Sequence, residues 1–88
     1  MKKIKLESGI TLNIEDNVLN NMELLDTLVE LDEGDWHAMS KTMAMILGPE
    51  EKKKLYESLR NENGVVPIDK VSEAMNAIFT KLGETGKN

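Results

Sequence analysis

The sequence predicts a mainly helical α+β domain, in which an N-terminal β-hairpin packs on a compact bundle of four short helices. Two periodicities predict this architecture. Apolar and polar residues alternate over residues 3–14, as in a half-buried strand, and later apolar residues recur every three or four positions, as on a helix face. With 88 residues the chain has the size of one domain, so we assign residues 1–83 to a single core.

The predicted hairpin covers residues 3–14, and the alternation of its side chains determines the register. A two-residue loop would place the apolar residues of the two strands on opposite faces. A three-residue loop that ends at Gly9 pairs Ile4 with Leu12 and keeps the apolar residues on one face. Gly9 then takes the left-handed conformation that such a loop requires. We therefore predict the three-residue loop, with its apolar face against the helices.

The first helix is predicted at residues 17–33, beginning in a turn after Asp16 or at Asn20, which has capping-box spacing with Glu23. Gly34 ends it as a left-handed cap. Its apolar residues form two stripes, one with Met22, Leu25 and Val29 and the other with Leu24, Leu28 and Leu31. Two stripes indicate a helix that buries a broad face, or one that buries one stripe and offers the other to a partner.

Three further helices are predicted, at residues 35–47, 49–61 and 67–82. Gly48-Pro49 separates the first two, because glycine suits the end of one helix and proline the first turn of the next. Asp35 is placed to cap the helix that follows it. Gly83 ends the last helix, and residues 84–88 are predicted to be a flexible tail.

Composition and charge exclude several functions. The chain has no cysteine and one histidine, which excludes disulfides and leaves little for a metal site, and it fits a reducing cytoplasm. Its longest apolar run, residues 43–47, is far too short to span a membrane. The net charge is −5, and residues 15–35 carry eight carboxylates with no lysine or arginine. We therefore expect no membrane and no nucleic acid as partner.

Two motifs suggest chemistry that their spacing does not support. His37 has Asp35 and Ser40 nearby, but one helical turn leaves no place for an oxyanion site or a substrate pocket. The loop at residues 61–66 resembles a calcium-binding loop, yet Lys70 falls where a bidentate carboxylate is needed. We expect no catalytic residue, no metal and no cofactor.

Methionine is the residue type that points to binding. Five methionines follow the initial one, in a chain with three aromatic residues, and flexible thioethers suit surfaces that accept variable apolar partners. Met45 points away from the main apolar stripe of its helix, which core filling does not explain. The candidate partner-binding residues are Leu24, Leu28, Leu31, Trp36, Met45 and Tyr56.

Four segments carry a family resemblance. They are the hairpin Lys3-Ile4-Lys5-Leu6, the segment Leu24-Leu25-Asp26…Leu28…Glu30…Asp32-Glu33-Gly34-Asp35, the run Ile46-Leu47-Gly48-Pro49-Glu50 and the segment Lys54-Leu55-Tyr56…Leu59-Arg60-Asn61-Glu62-Asn63-Gly64-Val65-Val66-Pro67. In this order they resemble the tail assembly chaperones of long-tailed phages and prophages of Gram-positive bacteria. The resemblance implies a non-enzymatic protein of the bacterial host cytoplasm, absent from the mature virion. Such a chaperone keeps the aggregation-prone tape measure protein soluble until the tail tube polymerises around it.

The resemblance also implies an expectation for the end of the chain. In that family a ribosomal frameshift often appends a second domain, and codons for Gly86-Lys87-Asn88 can include the slippery heptamer A-AAA-AAC. Another apolar helical client and self-association remain open as partners. The alternative functions are a small regulatory module that binds one cellular protein and, less favoured, a DNA-binding repressor.

Overall fold

A computed structural model describes residues 1–85 of the chain, with side chains described for residues 1–83. Within residues 1–85 the elements are β1 (Lys2–Lys5), β2 (Thr11–Ile14), α1 (Met22–Asp32), α2 (His37–Leu59) and α3 (Ile68–Thr85). The architecture is the predicted mixture of an antiparallel hairpin and helices. The radius of gyration is 12.7 Å, near the roughly 12 Å expected for a compact chain of this length.

The hairpin has the predicted register. Ile4 lies opposite Leu12 in the antiparallel pair formed by β1 and β2. The Leu6 N–H donates to the Ile10 carbonyl at 3.0 Å, and the Gly9 N–H donates to the Leu6 carbonyl at 2.9 Å. Gly9 has φ 97°, the left-handed conformation that closes a three-residue loop. The hairpin thereby buries one apolar face and leaves its lysines exposed or partly exposed.

Helix α1 begins later than predicted, and its N-cap is Asn21 rather than Asn20. The Asn21 side-chain oxygen accepts a hydrogen bond from the Glu23 N–H at 3.0 Å. Residues 16–19 form a turn in which Asn17 has φ 65°. A left-handed residue cannot continue into a right-handed helix, so the helix cannot include this turn. The predicted capping box of Asn20 and Glu23 is therefore wrong, because the N-cap lies one residue later and Leu24 stands three residues after it.

The described part of the chain has three helices rather than the predicted four, because the expected second and third helices form one bent helix, α2. The bend lies at Gly48, where φ 78° and ψ 170° are not helical, and Pro49 follows it. Gly48 thus interrupts the helical backbone, and proline fits the first turn of the second half. At its start, α2 is capped as expected, because the Asp35 carboxylate accepts from the His37 N–H at 3.1 Å.

Helix α3 runs on past the predicted end. Gly83 lies within α3, which continues to Thr85, so the prediction that Gly83 ends the helix is wrong. Glycine inside a helix costs only about 1 kcal/mol relative to alanine, which is too little to stop a helix with a buried face. The predicted flexible tail therefore loses residues 84–85 to α3, and residues 86–88 lie outside the described residues.

Helix α2 is the centre of the packing, because α1, α3 and β2 each contact it. The core is formed by the apolar face of the hairpin and by one apolar stripe from each helix. Its most deeply buried members include Leu12, Ile14, Leu24, Met43, Leu55 and Ile78. The two buried threonines satisfy their own hydroxyls, as Thr27 donates to the Glu23 carbonyl at 2.8 Å and Thr42 to the Ala38 carbonyl at 2.7 Å.

The Glu51 carboxylate of α2 forms a hydrogen bond with the hairpin. Glu51 accepts a hydrogen bond from the Asn13 backbone N–H at 3.2 Å and pairs with the Lys54 ammonium at 3.1 Å. Burial acts to raise the pKa of Glu51, but the hydrogen bond from Asn13 and the bond and charge of Lys54 together lower it below its ordinary value. The charged form of Glu51 therefore favours the folded state.

Candidate partner-binding surface

The predicted assignment of the two α1 stripes is reversed in the structure. Leu24 is 2% exposed and belongs to the core, and Leu28 and Leu31 are half-buried against it. The other stripe faces outward, with exposed fractions of 65%, 50% and 51% for Met22, Leu25 and Val29. The expectation that Leu24, Leu28 and Leu31 form the free stripe is therefore wrong. We call the exposed set, Met22, Leu25 and Val29, the α1 stripe.

Met45 is not the exposed residue that its position on α2 suggested. Its side chain is half-buried and packs against the core. The Met45 sulfur lies 3.5 Å from the Thr27 hydroxyl, which places it in the contact between α1 and α2. Met45 and Leu24 therefore contribute to helix packing rather than to an open surface.

An open apolar surface forms instead around Trp36, which precedes α2 and is 64% exposed. Two shallow grooves flank its ring. One has a volume of about 190 Å³ and the other about 210 Å³, and Met39 lines both. We call this region the Trp36 surface and define it by Leu31, Trp36, Met39, Tyr56, Val66 and Ile68. It brings together three of the six predicted residues, namely Leu31, Trp36 and Tyr56.

The bend in α2 builds this surface. In a straight helix, Trp36 and Tyr56 would stand about 30 Å apart along the axis, at 1.5 Å per residue. Both nevertheless line the groove of about 190 Å³. The Lys52 ammonium also donates to the Ser40 hydroxyl at 2.9 Å, across a separation that would be about 18 Å in a straight helix. The two halves of α2 therefore fold back on each other at Gly48.

Lys52 also connects these two halves through the tyrosine. Its ammonium lies 5.5 Å from the centre of the Tyr56 ring, a cation–π distance. Together with the bond to Ser40, this contact fixes the polar edge of the groove, while Trp36 and Ile68 provide exposed apolar area at 64% and 60%. The surface can hold an apolar side chain in each groove.

The two motifs that suggested chemistry, the one around His37 and the loop at residues 61–66, form hydrogen bonds within the protein. His37 is fully exposed and its Nδ1 lies 3.3 Å from the Asp35 carboxylate, which also caps α2. The Asn61 side-chain oxygen accepts from the backbone N–H groups of Asn63 and Val65 at 2.9 Å and 3.0 Å. It therefore closes a turn. Among the described residues, no group of three or more His, Asp or Glu side chains is placed to hold a metal ion.

A wider groove than these two lies between the hairpin loop and α3, with a volume of about 570 Å³. Its walls include Lys5, Lys70, Lys81 and Glu73, around small side chains such as Ala77. Both signs of charge therefore occur along it. Within residues 1–85, no helix is long and apolar enough to cross a membrane.

Comparison with known proteins identifies no relative of this chain, so any functional assignment depends on its sequence and on the surface described above. No family model, no curated protein and no solved structure matches the chain.

The grooves beside Trp36 could not be predicted from the sequence, because Val66 and Ile68 come from the loop and helix that follow α2. The exposed tryptophan was the one signal that could have located them.

Proposed function

We propose that the chain is a non-enzymatic tail assembly chaperone that binds an apolar helical segment of a tape measure protein and keeps it soluble during tail assembly. The sequence resemblance suggests this activity. The structural observation that supports it is the Trp36 surface, where a largely exposed tryptophan stands between two apolar grooves. A large apolar side chain left in water at such a place is typical of an interaction site.

The shape of the Trp36 surface suits a helical client. A helix presents apolar side chains three or four positions apart on one face, and grooves receive them as separate anchors. Two grooves that share Met39 can receive two such anchors, one on each side of the Trp36 ring. The thioether of Met39 adapts its shape at low cost, which allows clients of different sequence. Binding of this kind needs no cofactor and no catalytic group.

The proposed chaperone acts in the cytoplasm of the bacterial host and leaves before the virion is complete. The test is co-expression with a very long, helix-rich protein encoded by a neighbouring gene, which the proposal identifies as the tape measure protein. We expect the wild-type chain to raise the soluble fraction of that protein and to co-purify with it. Trp36→Asp places a charge on the exposed ring position and should abolish both effects while the far-ultraviolet circular dichroism spectrum stays unchanged.

The matched control is Val65→Asp. Val65 is 55% exposed and apolar, but it lines neither of the grooves beside Trp36. We expect this variant to behave as wild type, because a charge outside the surface does not meet the client. If Trp36→Asp retains full chaperone activity, the Trp36 surface is not the client site. If the wild-type chain leaves the tape measure protein insoluble and captures one host protein instead, the regulatory alternative is correct.

A further inference from the structure

The α1 stripe is a second apolar surface, on a different side of α1 from the Trp36 surface. Met22, Leu25 and Val29 recur at helical spacing and are each at least half exposed. Leu31, which lines a groove beside Trp36, lies half a helical turn away from Met22 at 100° per residue. A partner on the α1 stripe would therefore leave the Trp36 surface free.

Acidic side chains border the α1 stripe on both sides. At 100° per residue, Asp26 and Glu30 follow one border of the stripe and Asp32 lies along the other. None of these three carboxylates forms an ion pair with a residue in the described part of the chain. Residues 15–35 themselves include no lysine or arginine. The stripe is thus an apolar strip between two negative borders.

We propose that the α1 stripe binds an amphipathic helix whose own apolar stripe is flanked by lysine or arginine. The apolar strip would bury the partner's apolar residues, and the negative borders would pair with its basic side chains and set its orientation. A second copy of this chain is the wrong occupant. It would bring the same acidic borders, Asp26, Glu30 and Asp32, against those of the first copy, and like charges across an interface disfavour association.

This inference does not depend on the chaperone activity, because it concerns a different face and can be tested with a synthetic probe. The probe is a fluorescein-labelled helix of about 18 residues, roughly five turns, with leucine on one face and lysine on the rest. Its control has glutamate in place of every lysine. By fluorescence anisotropy at about 100 mM salt, we expect the leucine–lysine peptide to bind at least tenfold more tightly than the leucine–glutamate peptide.

Two sets of variants separate apolar docking from simple charge attraction. Leu25→Gln with Val29→Gln keeps every charge and should weaken binding of the leucine–lysine peptide by about tenfold or more. Asp26→Asn with Asp32→Asn keeps the apolar stripe and should weaken binding and reduce its dependence on salt. Val65→Gln, an exposed apolar position away from α1, should bind the peptide as the wild type does.

Three outcomes would overturn the proposal. Equal binding of the peptide to wild type and to Leu25→Gln with Val29→Gln would show that charge alone attracts it. Equal binding of the lysine and glutamate peptides, or binding of neither, would remove the role of the acidic borders. Sedimentation that shows a wild-type dimer, lost in the variant with two glutamines, would identify a second copy as the occupant. Loss of tape measure binding leaves all three measurements unaffected.

Discussion

Replacing Gly48 with alanine tests whether the backbone itself imposes the bend in α2. With φ 78° and ψ 170°, Gly48 occupies a region that is essentially restricted to glycine, and a side chain there costs about 1–3 kcal/mol. A Cβ atom at this position meets no atom within 4 Å, so the cost is conformational strain and not a clash. Alanine recovers about 0.4–1 kcal/mol by restricting the unfolded chain. We expect a net loss of roughly 1–2 kcal/mol.

Thermal unfolding measures this loss directly. In a domain of this size 1 kcal/mol shifts the melting temperature by about 4–8 °C, so Gly48→Ala should lower it by roughly 5–15 °C. Gly83→Ala is the matched control, because Gly83 lies inside α3 and a Cβ there also meets no atom within 4 Å. Alanine is favoured over glycine in a helix by about 0.5–1 kcal/mol, so this variant should melt a few degrees higher.

Chirality provides the sharper control. D-alanine at position 48 adds the same methyl group as L-alanine, but positive φ is favourable for a D-residue. In a chemically synthesised chain, D-alanine should therefore melt at or above the wild type, while L-alanine melts below it. Equal melting temperatures for the two, or a rise with L-alanine, would refute the reasoning. The conformation at Gly48 would then not be what bends α2.

The other predictions concern the contacts between elements. Glu51→Gln should cost about 1 kcal/mol near neutral pH, because it weakens the bonds to Asn13 and Lys54. The pKa of Glu51 is lower in the folded protein than in the unfolded chain. Its contribution to the free energy of unfolding is therefore complete above the unfolded pKa and is lost as the pH falls through the folded pKa. When denaturant midpoints are measured over a pH series, Glu51→Gln should lose less stability than the wild type on the acid side. Met45→Asp should cost about 2 kcal/mol or more by denaturant unfolding, since it places a charge in the contact between α1 and α2, while Met45→Leu should cost less than about 1.5 kcal/mol. Millimolar calcium should leave the melting temperature unchanged, because the Asn61 side-chain oxygen already accepts two backbone hydrogen bonds.

The hairpin could be predicted in detail because two independent local signals agree. The alternation of side chains allows one register that places Ile4 and Leu12 on the same face, and Gly9 supplies the conformation that this register needs. The buried face of α3 could be predicted equally well, since Val71, Met75 and Ile78 recur at helical spacing, and all three are buried. In both cases the local period alone determines which side chains face the core.

The orientation of α1 could not be predicted in this way. Both of its stripes are apolar, so the period fits either rotation of the helix against α2. Thr27 lies on the buried side, and in the sequence a polar residue argues against burial of the face that carries it. Its hydroxyl, however, donates a hydrogen bond to the Glu23 carbonyl of the same helix, so no unsatisfied donor is buried in the core. Helix–helix packing, which is a property of the whole domain, selects the rotation that buries Leu24.

The Trp36 surface could not be predicted from any single segment, because it depends on the bend. Trp36 directly precedes α2, Met39 comes from the start of that helix, Tyr56 from its second half, and Val66 from the loop beyond it. Only a fold-back at Gly48 brings these segments to one groove. If the bend is needed for the surface, Gly48→Ala should weaken binding of the proposed tape measure client more than an equally destabilising change in the hairpin, such as Gly9→Val. Equal loss of binding in both variants would show that stability alone, and not the geometry of α2, limits the interaction.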